Sequence, residues 1–247
     1  MRSEREVAMQ RGFEGAARLG PTLTSSSAVL SRLSRSWFVV FVTMSSLLVI
    51  LPWLAPMFMR LGWTDTGRAI YAAYSFVCHQ LPERSFFLFG ERLTYSLADI
   101  QAAWQQTTDP MVLRQFIGTS EMGYKVAWSD RMVSLYTSIP LAALIWWPLR
   151  HRLRALPLWG LGLLALPIVL DGASHMVSDL AGIEEGFRAG NAWLAALTSN
   201  ALPASFYAGD AWGSFNSLAR LLTGGLFGVG LVWAMLPRVQ TELGSAP

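Results

Sequence analysis

Charge is what this chain has least of. Only 14% of its residues are Asp, Glu, Lys or Arg, where soluble domains carry about 25%. With 53% hydrophobic residues, that shortfall points to a bilayer. Lysine is nearly absent: of 19 basic residues, only Lys125 is not arginine. There is no basic block and no basic patch interleaved with aromatics, so the net charge of +3 is not a nucleic-acid signal. A single cysteine, Cys78, excludes an intramolecular disulfide. No internal repeat is visible, and the first apolar run begins too late and runs too long for a secretory signal.

What is present is long apolar runs, over 37–59, 132–149, 156–177 and 215–236. About 20 apolar residues suffice to cross a bilayer as a helix. The pattern predicts an all-α integral membrane four-helix bundle over 32–238, with Pro140 kinking the second span. A flexible basic tail is expected over 1–31 and a C-terminal tail over 239–247. Arg32 and Arg35 precede the first span, Arg150, Arg152 and Arg154 crowd the link between the second and third, and Arg238 follows the fourth. If all four spans cross, these clusters share one side, and the positive-inside rule makes that side cytoplasmic. The expected location is the cell membrane, with both termini in the cytoplasm and two long loops outside.

The first outer loop carries helix signals of its own. Ser96 and Asp99 have capping-box spacing, with Leu97, Ile100 and Trp104 on one face. Asp109-Pro110 is a second helix start, with Gly118 as its expected stop. In the second loop, residues 191–197 are too short to span, which predicts a re-entrant or interfacial piece. Trp53, Trp63, Trp146, Trp147 and Trp212 are expected in the interfacial aromatic belt.

Polar chemistry is concentrated in a few places. The segment Cys78-His79-Gln80-Leu81-Pro82-Glu83-Arg84-Ser85 runs into Phe86-Phe87-Leu88-Phe89-Gly90. Asp171 and His175, four apart near the end of the third span, share a helix face. Asn216, Arg220 and Thr223 line one face of the fourth span, followed by Gly224 and Gly225, which permit close helix approach. The second span opens on Asp130-Arg131. Ionisable groups at membrane depth normally face a bundle interior or a cavity. The alternating topology puts all four clusters on the outer side.

These residues resemble a prokaryotic group of predicted membrane proteins, catalogued as a domain of unknown function, number two thousand and eighty-five. The resemblance rests on CHQLPERSFFLFG, on Gly123 to Arg131 leading to Tyr136, on Leu170-Asp171-Gly172, and on SFNSLARLLTGGLFG. It covers roughly residues 70 to 236. Members of that group carry Cys-x-Arg-Cys where this chain has Ser129-Asp130-Arg131-Met132, and glutamine where it has His175. With both cysteines replaced, thiolate-metal or disulfide chemistry does not carry over.

The expected site on the outer face is therefore built from Cys78, His79, Gln80, Glu83, Arg84, Arg131, Asp171, His175, Asn216 and Arg220. His79, Asp171 and His175 are suited by type to a divalent metal. Asp171 could orient His175 as a general base, and converging arginines would hold a phosphate or carboxylate. The competing expectation is that Arg84, Arg131 and Arg220 pair with Asp171, Glu83 or Asp130 as helix locks, and that Cys78 is a small buried apolar residue. A metal ion, an anionic headgroup and a small polar ligand remain open as ligands, as does an enzymatic role. So does an accessory subunit of a larger membrane complex. The bilayer is the expected partner, with a homo-oligomer or a membrane-complex partner also open.

Overall fold

The computed structural model describes residues 20–244, with side chains from 36 to 243. Four helices are long and apolar enough to cross a membrane: Ser36–Arg60, Asp130–Leu149, Leu158–Asp179 and Phe215–Leu243. This is a membrane protein. The first of these spans is the apolar part of α1 (Gly20–Arg60), so the helix begins inside the expected tail, whose residues 1–19 lie outside the described ones. At the other end, the last helix continues through the expected C-terminal tail as far as Gly244, and residues 245–247 are not described. Outward-facing Ile145, Leu163 and Leu222 are exposed on the bundle, as lipid contact requires.

Between the first two spans come α2 (Thr64–Tyr74), a 3-10 turn (Pro82–Arg84), β1 (Ser85–Leu88), α3 (Leu97–Ala103), α4 (Pro110–Leu113), β2 (Gly118–Thr119) and β3 (Gly123–Ser129). The three strands form an antiparallel sheet in the order β1-β3-β2, with Phe87 opposite Lys125 and Leu88 opposite Tyr124. The all-α expectation is corrected here: the bundle is helical, but the loop between its first two spans folds around a small sheet. Strand runs this short, interrupted by glycines, give no alternation long enough to read.

The local helix signals fare unevenly. Ser96 accepts from the Asp99 N–H and Asp99 accepts from the Ser96 N–H, a complete capping box. Asp109 caps α4 through the Met111 N–H, with Pro110 in the first turn. Gly118, however, opens β2 and stops no helix; its φ of +127° suits a glycine. Beneath the sheet, Phe87, Tyr95, Ile100, Leu113 and Phe116 bury into a cluster, each large side chain contributing about 1.5–3 kcal/mol. The cap therefore has its own core.

The bundle follows as α5 (Asp130–Leu149), α6 (Leu158–Asp179), the short helices α7 (Phe187–Gly190), α8 (Ala192–Leu197) and α9 (Ala204–Tyr207), and α10 (Phe215–Gly244). Helix α10 packs along α5 and α6, and α1 packs on α5 and β3. Glycines set the α5–α10 distance: a Cβ on Gly224 would lie 2.8 Å from the Arg131 carbonyl oxygen, and one on Gly228 2.5 Å from that of Leu135. This is the close approach expected of the glycine-rich start of the fourth span. No residue of α8 is buried, in keeping with a piece too short to cross. Of the expected aromatic belt, Trp63 and Trp212 are exposed, but Trp146 is buried in a cluster with Phe38, Val232 and Leu236. Trp146 is a core residue because α1 closes over it.

Candidate functional site

Strand β3 runs without a break into α5, so its end fixes where Asp130 and Arg131 point. Asp130 and Arg220 face each other across α5 and α10: Nε of Arg220 donates to both Asp130 oxygens at 2.8 and 2.9 Å, and Nη2 to Oδ2 at 2.8 Å. Nη1 of Arg220 donates to Asp210 at 2.5 Å. Asp210 also accepts from Nε of Arg84 at 3.1 Å, while both Nη atoms of Arg84 reach Asp179 at 2.9 Å. One chain of ion pairs thus joins the cap-side ends of α5, α6 and α10 to the 3-10 turn. Burial alone would raise the Asp210 carboxyl, yet Arg220 and Arg84 hold it well below the usual carboxylate range.

A second group forms around Asp171 on α6. Its Oδ2 accepts from Nη2 of Arg131 at 2.7 Å and its Oδ1 from Nη2 of Arg188 at 2.5 Å. The same Arg188 nitrogen lies 3.1 Å from Nε2 of His175, which as acceptor leaves the proton of a neutral ring on Nδ1. Room for Arg131 comes from Gly172, whose missing Cβ would sit 2.8 Å from Nη1 of that arginine. That contact is a physical reason for Leu170-Asp171-Gly172.

The two groups differ in how fully they are used. In the first, two arginines meet three aspartates, and every nitrogen of Arg84 and Arg220 donates. In the second, two arginines meet one aspartate, and Nε of Arg131, Nε of Arg188 and Nδ1 of His175 are buried without a hydrogen-bond partner. Arg131 keeps some solvent contact, its side chain being 19% exposed.

The other expected site residues hold structure. Cys78 is free and buried beside Ser129, its Sγ accepting from the backbone N–H groups of Gln80 and Ser129. It packs with Tyr71, Tyr74 and Trp128 as an apolar residue would. His79 is exposed, with Nδ1 accepting from the Leu81 N–H. Gln80 has φ +52°, and its carbonyl oxygen accepts from Nζ of Lys125 at 2.7 Å. Lys125 Nζ also donates to the Arg114 carbonyl at 2.7 Å, so the single lysine pins two loop segments to β3. Burial lowers this ammonium to about 7, against the pull of Glu83. Asn216 donates to the carbonyls of Arg188 and Gly209 and accepts from Asn191, tying the loop between α6 and α10 to α10. Glu83 is buried, with neither oxygen hydrogen-bonded.

The divalent-metal expectation does not fit this geometry. Among the described residues no group of three or more His, Cys, Asp or Glu side chains is placed to hold a metal ion. Both Asp171 oxygens are taken by guanidinium groups, Nε2 of His175 faces Arg188, and Nδ1 of His79 is taken by the Leu81 N–H. His175 is equally poorly set as a general base, since its acceptor nitrogen is already engaged.

Four charged residues of the centre were not among the expected site: Asp130, Asp179, Arg188 and Asp210. Arg188 carried the faintest signal, an arginine in a loop between Gly186 and Gly190. Gly186 is where that loop crosses α6, its missing Cβ lying 2.2 Å from the Ser178 carbonyl oxygen.

No family model matches the chain, and no solved structure matches it. Over 142 residues, covering 54% of this chain and 67% of the other, it is 27% identical to an uncharacterized protein of Methanocaldococcus jannaschii.

Proposed function

We propose that this is a cell-membrane protein with both termini in the cytoplasm, whose outer polar centre binds an anionic, phosphate-like group at the Asp171 half. The observation that carries the reading is the set of unfilled N–H donors on Arg131, Arg188 and His175, around a single carboxylate. Guanidinium groups in such surroundings favour phosphate and carboxylate oxygens. The orientation is supported by Arg238, which donates to the Leu156 carbonyl at the end of the bundle away from the cap, next to the arginines at 150, 152 and 154.

The phosphate-like group belongs to a lipid headgroup or to a soluble anion. Calorimetric titration of the detergent-purified protein with inorganic phosphate and with a short-chain phosphatidic acid separates the two. Arg131→Gln is expected to weaken the bound species by about tenfold or more, with little change in thermal stability. Equal binding by wild type and Arg131→Gln rejects the reading.

The saturated Arg84–Arg220 half favours a second reading, a non-catalytic subunit of a larger membrane complex whose ion pairs lock its helices. That reading expects no anion binding, and a stable larger assembly when the protein is extracted from its native membrane in mild detergent.

A further inference from the structure

A cavity of about 380 Å³ opens on the cap, walled by the 3-10 turn, the start of α3 and the loops around Glu184, Gly190 and Asp210. Glu83, only 2% exposed, forms part of its wall. Neither of its carboxylate oxygens has a hydrogen-bond partner. The nearest cationic nitrogen, Nε of Arg84 at 3.9 Å, is committed to Asp210. The contrast with its neighbours is sharp, since Asp130, Asp171 and Asp210 all accept from guanidinium groups. A buried carboxylate left without donors is costly, and among the described residues none hydrogen-bonds to this one.

We propose that this cavity binds a small ligand through a primary ammonium group, with the Glu83 carboxylate as its acceptor. Acids line the cavity and no arginine or lysine does, which selects a cation. A metal ion is disfavoured because Asp210 is occupied by Arg84 and Arg220 and Glu184 is exposed, leaving too few ligands. A quaternary ammonium is disfavoured because no aromatic ring lines the cavity and such a group brings no N–H donor to an acceptor that lacks one. Leu97 and Ile183 in the wall suit the short carbon chain of a small amine. The site is separate from the Asp171 half and stands or falls independently of it.

Charge on Glu83 gives the site a pH dependence. Burial pushes the carboxyl up to about 7; Arg84 on its own turn opposes this, Asp210 reinforces it, and the residue's own backbone N–H, too poorly placed for a full hydrogen bond, and Lys125 from β3 oppose it. Lys125 is itself brought to about 7, and Glu184 faces the cavity from the second outer loop. The ionised, ammonium-binding form of Glu83 therefore gains as pH rises through neutrality.

The test is titration of the detergent-purified full chain with ethanolamine and choline at pH 6 and pH 8, together with reconstitution in phosphatidylethanolamine and phosphatidylcholine nanodiscs. Saturable ethanolamine binding is expected, stronger at pH 8, with choline at least about tenfold weaker. Glu83→Gln is expected to weaken ethanolamine by about tenfold or more, the loss of one hydrogen-bonded charge pair, without loss of thermal stability. Gly190→Leu leaves Glu83 in place but directs a side chain into open space in the cavity wall, and it should abolish binding as well. It decides the matter if Glu83→Gln does not fold. Stronger thermal protection in phosphatidylethanolamine than in phosphatidylcholine assigns the amine to a lipid headgroup, and equal protection assigns it to a free amine. Absence of saturable ethanolamine binding, or wild-type affinity in both variants, overturns the proposal.

Discussion

Arg220 on α10 clasps Asp130 on α5 with three hydrogen bonds of 2.8 to 2.9 Å, between side chains 2% and 4% exposed. The pair joins the cap-side ends of two membrane helices through residues 90 apart in the chain. Desolvating both ions is expensive, so the pair's net worth is small, but removing one partner strands the other.

Arg220→Gln and Asp130→Asn should each lower stability by about 3–5 kcal/mol. The double variant should lose less than the sum of the two, because neither charge is then left alone. Thermal unfolding in detergent, followed by tryptophan fluorescence, gives the coupling. Strict additivity would show that the two side chains do not act as a pair.

Gly172→Ala tests the Asp171 half without removing a charge. The new methyl group would fall 2.8 Å from Nη1 of Arg131, the far end of a flexible side chain, so the arginine shifts and the helix does not. Stability should change by less than about 1 kcal/mol, while affinity for phosphate or phosphatidic acid falls.

Gly228→Ala should behave differently. Its Cβ would meet the Leu135 carbonyl oxygen at 2.5 Å, and backbone cannot swing aside. Separating α5 from α10 is expected to cost about 1–3 kcal/mol, read as a lowered midpoint in thermal unfolding.

Glu83 sets a pH dependence whose sign is fixed by the direction of its shift. In the fold its carboxyl is raised to about 7, above the ordinary glutamate value of 4.5. Its contribution is thus fully present below about 4.5 and is lost as pH rises through about 7. Glu83→Gln keeps the neutral shape at every pH. It should leave stability unchanged at pH 4 and exceed wild type at pH 8, by at most about 3 kcal/mol. Unfolding midpoints across that range check the crossover.

The proposed orientation is read by labelling with a membrane-impermeant maleimide in intact cells. A cysteine introduced at Glu184 should react and one at Arg152 should not. Native Cys78 is buried and should contribute little background.

Much of the bundle was legible residue by residue. The four spans, the capping box at Ser96 and Asp99, the cap at Asp109 and the close approach at Gly224 each follow from a few neighbouring residues, whose hydropathy, hydrogen bonding or size acts locally. The gathering of Arg84, Asp171 and Arg220 at one end of the bundle followed from alternation of the spans. The β1-β3-β2 sheet did not follow, because its strands are short and pair across a glycine-rich loop. Asp171 and Asp130 were expected to take arginines and do, from Arg131 and Arg220, but the partners of Arg84 did not follow. Arg84 meets Asp179 and Asp210, 95 and 126 residues away, while its neighbour Glu83 is left without a hydrogen bond. Arg188 reaches Asp171 only because its loop folds back over α6 at Ser178. Sequence by itself determined which segments are apolar enough to enter the membrane and that their charges gather at one end of the bundle, because burial of apolar length is additive along the chain. Tertiary structure alone decided which charge meets which, because that depends on where loops of tens of residues return.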